Sequence, residues 1–235
     1  MTRELFRENA YLKSCDAEVV AVTASGGIIL SETVFYPEGG GQPGDRGRLV
    51  WTGGELAVVD TRKSDDGQLL HLTNESAALP AVGTRVDAAI DWEYRYRHMR
   101  THTCLHLLCA LVPHDVTGGS ISQDKGRLDF DMSDSVDKPT LEQALNDLID
   151  ADHEVGFEWI SDEEMSANMD LVRTMSVKPP INQGRVRLIS VKEIDLQPCG
   201  GTHVARTSEI GHVRIGKVEK KGKQNRRINI HLDDQ

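Results

Sequence analysis

The stretch Trp92-Glu93-Tyr94-Arg95-Tyr96-Arg97-His98-Met99-Arg100-Thr101-His102-Thr103-Cys104-Leu105-His106-Leu107-Leu108-Cys109-Ala110-Leu111 divides the chain into two halves of different texture. It holds no Gly or Pro and is rich in helix formers, so one long helix is predicted from Glu93 to about Leu111, ended by Pro113. Along it His98, His102 and His106 repeat at i, i+4, which places them on one face with Cβ atoms roughly 5–6 Å apart. Two imidazoles so placed can converge on a cation, and spacing alone leaves open which pair does so. The zinc-protease arrangement is disfavoured, because no Glu stands between the histidines as in HExxH.

Before this helix the chain reads as short strands: Ala17–Val22, Gly27–Leu30, Leu49–Trp51, Leu56–Val59, Leu69–Leu72 and Arg85–Ile90. Turn signals separate them at Ser25-Gly26-Gly27, Gly53-Gly54, Asp65-Asp66-Gly67 and Leu79-Pro80. Strands at this spacing without helices between them predict a small barrel or sandwich. After the helix, Thr140-Leu141-Glu142-Gln143 and Ser161-Asp162-Glu163-Glu164 carry capping-box spacing. Helices are expected from about Thr140 to Ala151 and from Ser161 to about Met169. The acidic stretch from Glu142 to Glu164 reads as an exposed helical face. Strands return at Arg185–Ile189, His212–Val218 and Arg227–Leu232. The fold class is therefore α+β: an N-terminal β-barrel domain over residues 1–91, then an α/β two-layer metal-binding domain over residues 92–235.

Almost a hundred residues beyond the histidine helix lies Pro198-Cys199-Gly200-Gly201-Thr202-His203-Val204. Pro198 and the glycines are expected to interrupt regular structure and to permit positive φ. Cys199 and His203 can then both point inward. Together with a histidine pair they make a set of three nitrogens and one sulfur, which suits zinc. A third motif is Phe35-Tyr36-Pro37-Glu38-Gly39-Gly40-Gly41-Gln42-Pro43-Gly44-Asp45. Its glycines lack the spacing of a P-loop or dinucleotide fingerprint. It reads either as a hairpin loop of the barrel or as a glycine-walled surface over which a substrate lies, with Gln42 offering donors and acceptors. A fourth is the basic run near the C-terminus, in which Lys220, Lys221, Lys223, Arg226 and Arg227 surround a turn at Gly222. It is a candidate phosphate-contact surface.

The bulk properties bound these readings. The 235 residues carry a formal net charge of −10, which argues against broad nonspecific nucleic-acid binding but leaves room for a local basic patch. No stretch approaches the ~20 apolar residues of a membrane span, and no apolar signal core opens the chain. Four cysteines without a CxxC pair fit a reducing cytoplasm.

The HTxxH helix, the CGGTHV loop and the FYPEGGGQPGD loop, in their several positions along this chain, resemble the freestanding alanyl-tRNA editing proteins (the AlaX group, mid-length class). They are similar also to the editing domain of alanyl-tRNA synthetases and, more distantly, of threonyl-tRNA synthetases. Gly119-Ser120-Ile121-Ser122, Arg127-Leu128-Asp129-Phe130-Asp131 and Gly222-Lys223-Gln224-Asn225-Arg226-Arg227-Ile228 extend the likeness over nearly the whole chain. The resemblance selects His102 and His106, not His98, as ligands beside Cys199 and His203, with one Zn2+ per chain. It implies ATP-independent, zinc-dependent deacylation of misacylated tRNA for alanine, chiefly the seryl and also the glycyl form. The implied partner is tRNA, in the cytoplasm, with no membrane and no protein partner required. Gln42 and Thr33 are the residues it suggests for holding water or the serine hydroxyl. Gly39, Gly40 and Gly41 are expected along the substrate, and Thr103 is expected to support His102. Two competing readings are a non-catalytic zinc module that binds tRNA or a synthetase, and the same chemistry on another misacylated tRNA.

Overall fold

A computed structural model describes residues 2–74, 78–175 and 184–233. The chain forms two compact units, Met1–Tyr96 and Arg97–Gln235. The division falls inside the long helix, a turn beyond the boundary expected at residue 92.

In the first unit the strands are β1 (Arg3–Glu4), β2 (Ser14–Val22), β3 (Ile28–Leu30), β4 (Glu32–Thr33), β5 (Gly47–Trp51), β6 (Gly54–Lys63), β7 (Leu69–Thr73) and β8 (Arg85–Ile90). Six of them close a barrel in the order β2-β3-β7-β6-β5-β8. Each of the six predicted strands belongs to it, most of them longer at one or both ends than the apolar pattern indicates. Alternation accounts for the closure: Leu56 and Val58 on β6, and Val86, Ala88 and Ile90 on β8, point inward between exposed or half-buried neighbours. They join Val19, Ile28, Leu30 and Leu49 in one core. Each large aliphatic chain so buried contributes about 1.5–3 kcal/mol. β1 and β4 pair in parallel outside the barrel.

The predicted helix is α1 (Trp92–Leu111). From Thr101 to Cys109 every residue is buried, so this half of the helix is covered on all sides and not amphipathic. Gly126 permits the closest approach: a Cβ there would lie 2.9 Å from Thr101 Cγ2 and 3.1 Å from Leu105. Gly126 sits on β10 (Lys125–Phe130), which follows β9 (Val116–Ile121). Next come α2 (Lys138–Asp150), β11 (Val155–Ser161), α3 (Asp162–Ala167), β12 (Arg185–Val191), β13 (Asp195–Pro198), β14 (Val213–Gly222) and β15 (Asn225–Leu232). These strands form a four-stranded sheet, β14-β15-β10-β9, and a three-stranded sheet, β11-β12-β13. Helix α2 is tied to the larger sheet through Asn146, whose side chain donates to Val213 O (2.8 Å) and accepts from Val213 N (3.0 Å). Among the described residues no helix is long and apolar enough to cross a membrane.

Several local expectations need correction. Helix α2 begins at Lys138, before Thr140, because Pro139 occupies its first turn. Thr140 does not cap it; its hydroxyl donates to Asp137 (2.6 Å). The second capping box does form, between Ser161 and Glu164. The acidic stretch is not helical throughout, since Val155–Ser161 is strand β11. The interruption expected at Pro198 does occur, at the entry to the cysteine loop. Pro198 ends β13, paired with Leu188 on an edge strand where a missing N–H is tolerated.

Candidate metal centre

The cysteine loop folds back onto α1 and brings four donors together. One ligand atom each from His102, His106, Cys199 and His203 lies within 4.8 Å of the others. Cys199 Sγ is 3.5 Å from His102 Nε2 and 3.4 Å from His203 Nε2. The ring centroids of His102 and His203 are 4.2 Å apart, and those of His106 and His203 are 4.6 Å apart. His98 is buried one turn earlier and lies outside the group, so the fold selects the His102–His106 pair.

Partners behind the histidines fix which nitrogen faces the cluster. Thr103 Oγ1 donates to Met99 O (2.9 Å), so toward His203 Nδ1 (3.1 Å) it can only accept. His203 therefore carries its proton on Nδ1 and turns the Nε2 lone pair inward. Asp195 Oδ2 does the same for His106, accepting from Nδ1 at 3.0 Å. Gln197 Nε2 donates to that carboxylate (2.8 Å) and stands 3.1 Å from His106 Nδ1. The loop itself is held by Arg187 of β12, which donates to Gly201 O (2.9 Å) and Cys199 O (3.2 Å). Cys199 N returns a bond to Arg187 O (3.1 Å).

Thr103 thus supports His203 and not, as expected, His102: adjacent residues on a helix point in different directions. Sequence reasoning missed Asp195, Gln197 and Arg187, whose roles arise from the β12–β13 register. The glycines of the loop also differ from expectation, since Gly200 and Gly201 are not among the described glycines with positive φ.

Electrostatics favour a cation here. Burial would raise the Cys199 thiol, but the imidazoles of His102 and His203 outweigh it and hold it well below its usual value. Burial and the neighbouring His102 keep His203 neutral, well below the ordinary histidine range. Burial also opposes charge on His106, yet its bonds to Asp195 and Cys199 raise it to about 9. A thiolate and a neutral imidazole are the forms that ligate, and a metal would displace the His106 proton.

The other candidates each have their own local setting. In the first unit Gly40 and Gly41, at φ 56° and 83°, form the centre of a tight turn closed by Gly39 N to Gln42 O (3.1 Å) and Gln42 N to Gly39 O (2.9 Å). Gln42 is buried. Asp45, which the sequence reading passed over, anchors the motif. It accepts from Tyr36 N (2.6 Å) and forms a buried pair with Arg95, whose Nε lies 2.9 Å from Oδ2. Arg95 also donates to Val34 O (2.6 Å) and Ala10 O (2.9 Å). Thr33 is fully buried. His71 Nδ1 meets a carbonyl, Ile28 O (3.0 Å), and must donate there, so Thr33 Oγ1 donates to its Nε2 (2.8 Å). Burial lowers His71 to about 4.

On the β14–β15 hairpin Lys220, Lys221 and Lys223 are exposed. Lys221 Nζ lies 3.2 Å from Glu219. Arg226 is buried and donates to Gly222 O (3.2 Å) and to Ser133 O. Arg227 grips Asp129 with two bonds, at 2.7 and 2.9 Å.

Comparisons with known proteins follow the same division. The family described as threonyl and alanyl tRNA synthetase second additional domain matches residues 186–229, and the class II (A) tRNA synthetase family matches residues 9–94. The alanyl-tRNA editing protein AlaX-M of Methanosarcina barkeri is 36% identical, with all of both chains covered. That of Pyrococcus horikoshii is 31% identical over 99% of each chain. An alanine–tRNA ligase of Pyrobaculum neutrophilum is 35% identical over 93% of this chain and 25% of its own length.

Proposed function

The chain belongs to the alanyl-tRNA editing protein family, and from that premise we propose that it hydrolyses the aminoacyl ester of misacylated tRNA for alanine. Seryl-tRNA is the main substrate and the glycyl form a second. The reaction needs one zinc ion per chain, held by His102, His106, Cys199 and His203, and takes place in the cytoplasm. One observation carries the zinc assignment: three histidines and a cysteine converge, with the inward nitrogens of His106 and His203 freed by Asp195 and Thr103. Three nitrogens and one sulfur within a few ångströms suit zinc better than a hard, oxygen-seeking cation.

The need for such a site is physical. A synthetase pocket built for alanine discriminates weakly against an added hydroxyl or a missing methyl. A second site that hydrogen-bonds the serine hydroxyl leaves a polar group unpaired when alanine enters, so the correct ester is spared. When bound, zinc supplies a fixed positive charge that can hold and polarise an ester carbonyl. Asp195 and Thr103 orient the ligands, and Arg187 keeps the loop in position. The exposed Lys220, Lys221 and Lys223 would meet tRNA phosphates; Arg226 and Arg227 hold the hairpin on which these lysines stand.

Four protein donors also favour a second reading, because catalytic zinc sites keep a position open and structural ones do not. In that reading the metal secures the junction of α1 and the loop, and the protein binds tRNA without cleaving it. Deacylation assays with seryl-, glycyl- and alanyl-tRNA of the alanine type separate the two. Editing gives rapid loss of the seryl ester, slower loss of the glycyl ester and a stable alanyl ester. Intact seryl-tRNA after incubation with zinc-loaded protein would establish the binding module. Reversing Lys220, Lys221 and Lys223 together should raise KM for seryl-tRNA and flatten its salt dependence by somewhat under ~1 log unit per lost phosphate contact. An unchanged slope would move the tRNA surface elsewhere.

A further inference from the structure

The three-stranded sheet carries a feature that the metal centre does not use. β11 is one of its two edge strands, and Phe157 and Trp159 stand two residues apart on one face of it. Phe157 is 44% exposed, unusual for a large ring. Each ring is met by an arginine of β12. Arg187 Cζ lies 4.8 Å from the Phe157 centroid, and Arg185 Cζ lies 4.2 Å from the Trp159 centroid. The register explains this pairing: Trp159 is opposite Arg187 and Ser161 opposite Arg185, so each guanidinium leans diagonally onto the preceding ring.

The same face leads to the metal ligands. Phe157 is opposite Ile189, Ile189 is opposite Gln197, and Gln197 touches His106. With strands about 4.8 Å apart, this row covers roughly 10 Å from the edge ring to the residue behind the ligand. Arg187 makes a second link, since the guanidinium beside Phe157 also holds Gly201 O.

We propose that Phe157 and Trp159, with Arg185 and Arg187, form a stacking platform for the unpaired nucleotides at the 3′ end of tRNA. This inference rests on the editing reading above, because an ester on the terminal ribose can reach the metal centre only if the last single-stranded nucleotides pass beside it. The chemistry fits that occupant. Single-stranded RNA is held by bases stacked on aromatic rings and guanidinium planes, and every base offers a π-face. Two rings about 6.6 Å apart along a strand can serve neighbouring bases; the exposed Arg185 adds cationic attraction for the phosphate between them, while the buried Arg187 backs the Phe157 ring and holds the metal loop.

The test compares Phe157→Ala, Phe157→Tyr and Arg185→Ala in the full, zinc-loaded protein, on seryl-tRNA and on the seryl ester of adenosine. Phe157→Ala raises KM for seryl-tRNA about tenfold, with kcat and cleavage of the adenosine ester unchanged. Its salt slope equals that of the native protein, because the ring carries no charge. Phe157→Tyr keeps the native KM. Arg185→Ala, at an exposed position, raises KM with the metal retained. Separately, an RNA oligonucleotide ending in CCA quenches tryptophan fluorescence in the native protein and loses most of that quenching in Trp159→Phe. Native KM in Phe157→Ala, or full quenching in Trp159→Phe, overturns the platform while editing stands. A change in sedimentation with KM unchanged would make this face a protein contact and also overturn it. Failure of the native protein to cleave any seryl ester would overturn the editing reading itself, and the oligonucleotide titration would still decide whether the platform binds RNA.

Discussion

Two glycine-rich motifs of this molecule use their glycines differently. In the first unit, Gly40 and Gly41 take positive φ, and a Cβ at Gly44 would lie 2.1 Å from Thr61 O. The side chains around them turn inward: Asp45 to Arg95 and the Tyr36 amide, Tyr36 Oη to Gly39 O at 2.8 Å. In the second unit, Gly200 and Gly201 separate two ligands, and the loop's carbonyls are gripped by Arg187 from the neighbouring strand. Cys199 and His203 are thereby left directed at a common point. One motif closes on itself, while the other is held from behind so that its side chains can face a metal. The lesson is that a run of glycines identifies a tight backbone, and only the direction of the adjoining donors identifies a site.

That contrast can be broken experimentally. The largest effect is expected at the ligands. Cys199→Ala or His106→Ala should take bound zinc from about one per chain to near zero and deacylation to background, by elemental analysis and assay. His98→Ala should leave the metal in place. A fully active, zinc-free Cys199→Ala protein would remove the basis of the comparison.

Asp45→Ala should act on stability and not on metal. It strands the buried Arg95 guanidinium and should cost about 3–5 kcal/mol in urea unfolding, with zinc content unchanged. Loss of zinc at native stability would reverse the roles assigned to the two motifs.

A third expectation concerns pH. His71 sits at about 4 in the fold against an ordinary 6.5, so the unfolded chain binds the proton more readily. Its effect is absent above about pH 6.5. Stability then falls as pH drops toward 4, by on the order of 3 kcal/mol in total. His71→Gln should show a flatter pH dependence in this window, and an equally steep curve would assign the loss to other groups.

The smallest effect tests the support behind the metal loop. Asp195→Asn should weaken zinc binding by about 10–100-fold without unfolding the protein, measured by competition with a chelator. Equal affinity would mean that His106 is oriented by Gln197 or by packing alone.

What the sequence disclosed follows from what each signal depends on. The barrel strands were legible because β6 and β8 alternate with period two between turn residues. The row of histidines was legible because i, i+4 is a property of one helix, although spacing left the pair open and the resemblance chose His102 and His106; the cysteine loop was legible because its spacing is local. Strand β11 was hidden: Glu158 on its outer face merges with the acids on either side, although Phe157 and Trp159 mark it as a strand. Strand β9 was hidden by Gly118-Gly119, which carry no apolar pattern. Asp195, Gln197 and Arg187 were illegible for another reason. Their importance comes from cross-strand register, which no local spacing encodes. Thr103 departs from expectation because neighbours in sequence on a helix point in different directions, and its hydroxyl meets His203.

The ligands that meet at the metal centre are 97 positions apart in His102 and Cys199. A chain made from its N-terminus exposes the histidine helix well before the cysteine and last histidine. Closing so long a loop has an entropic cost before any bond across it forms. Capture of a metal by all four donors would therefore have to wait for both segments, and it would report that the stretch between them has been made and folded.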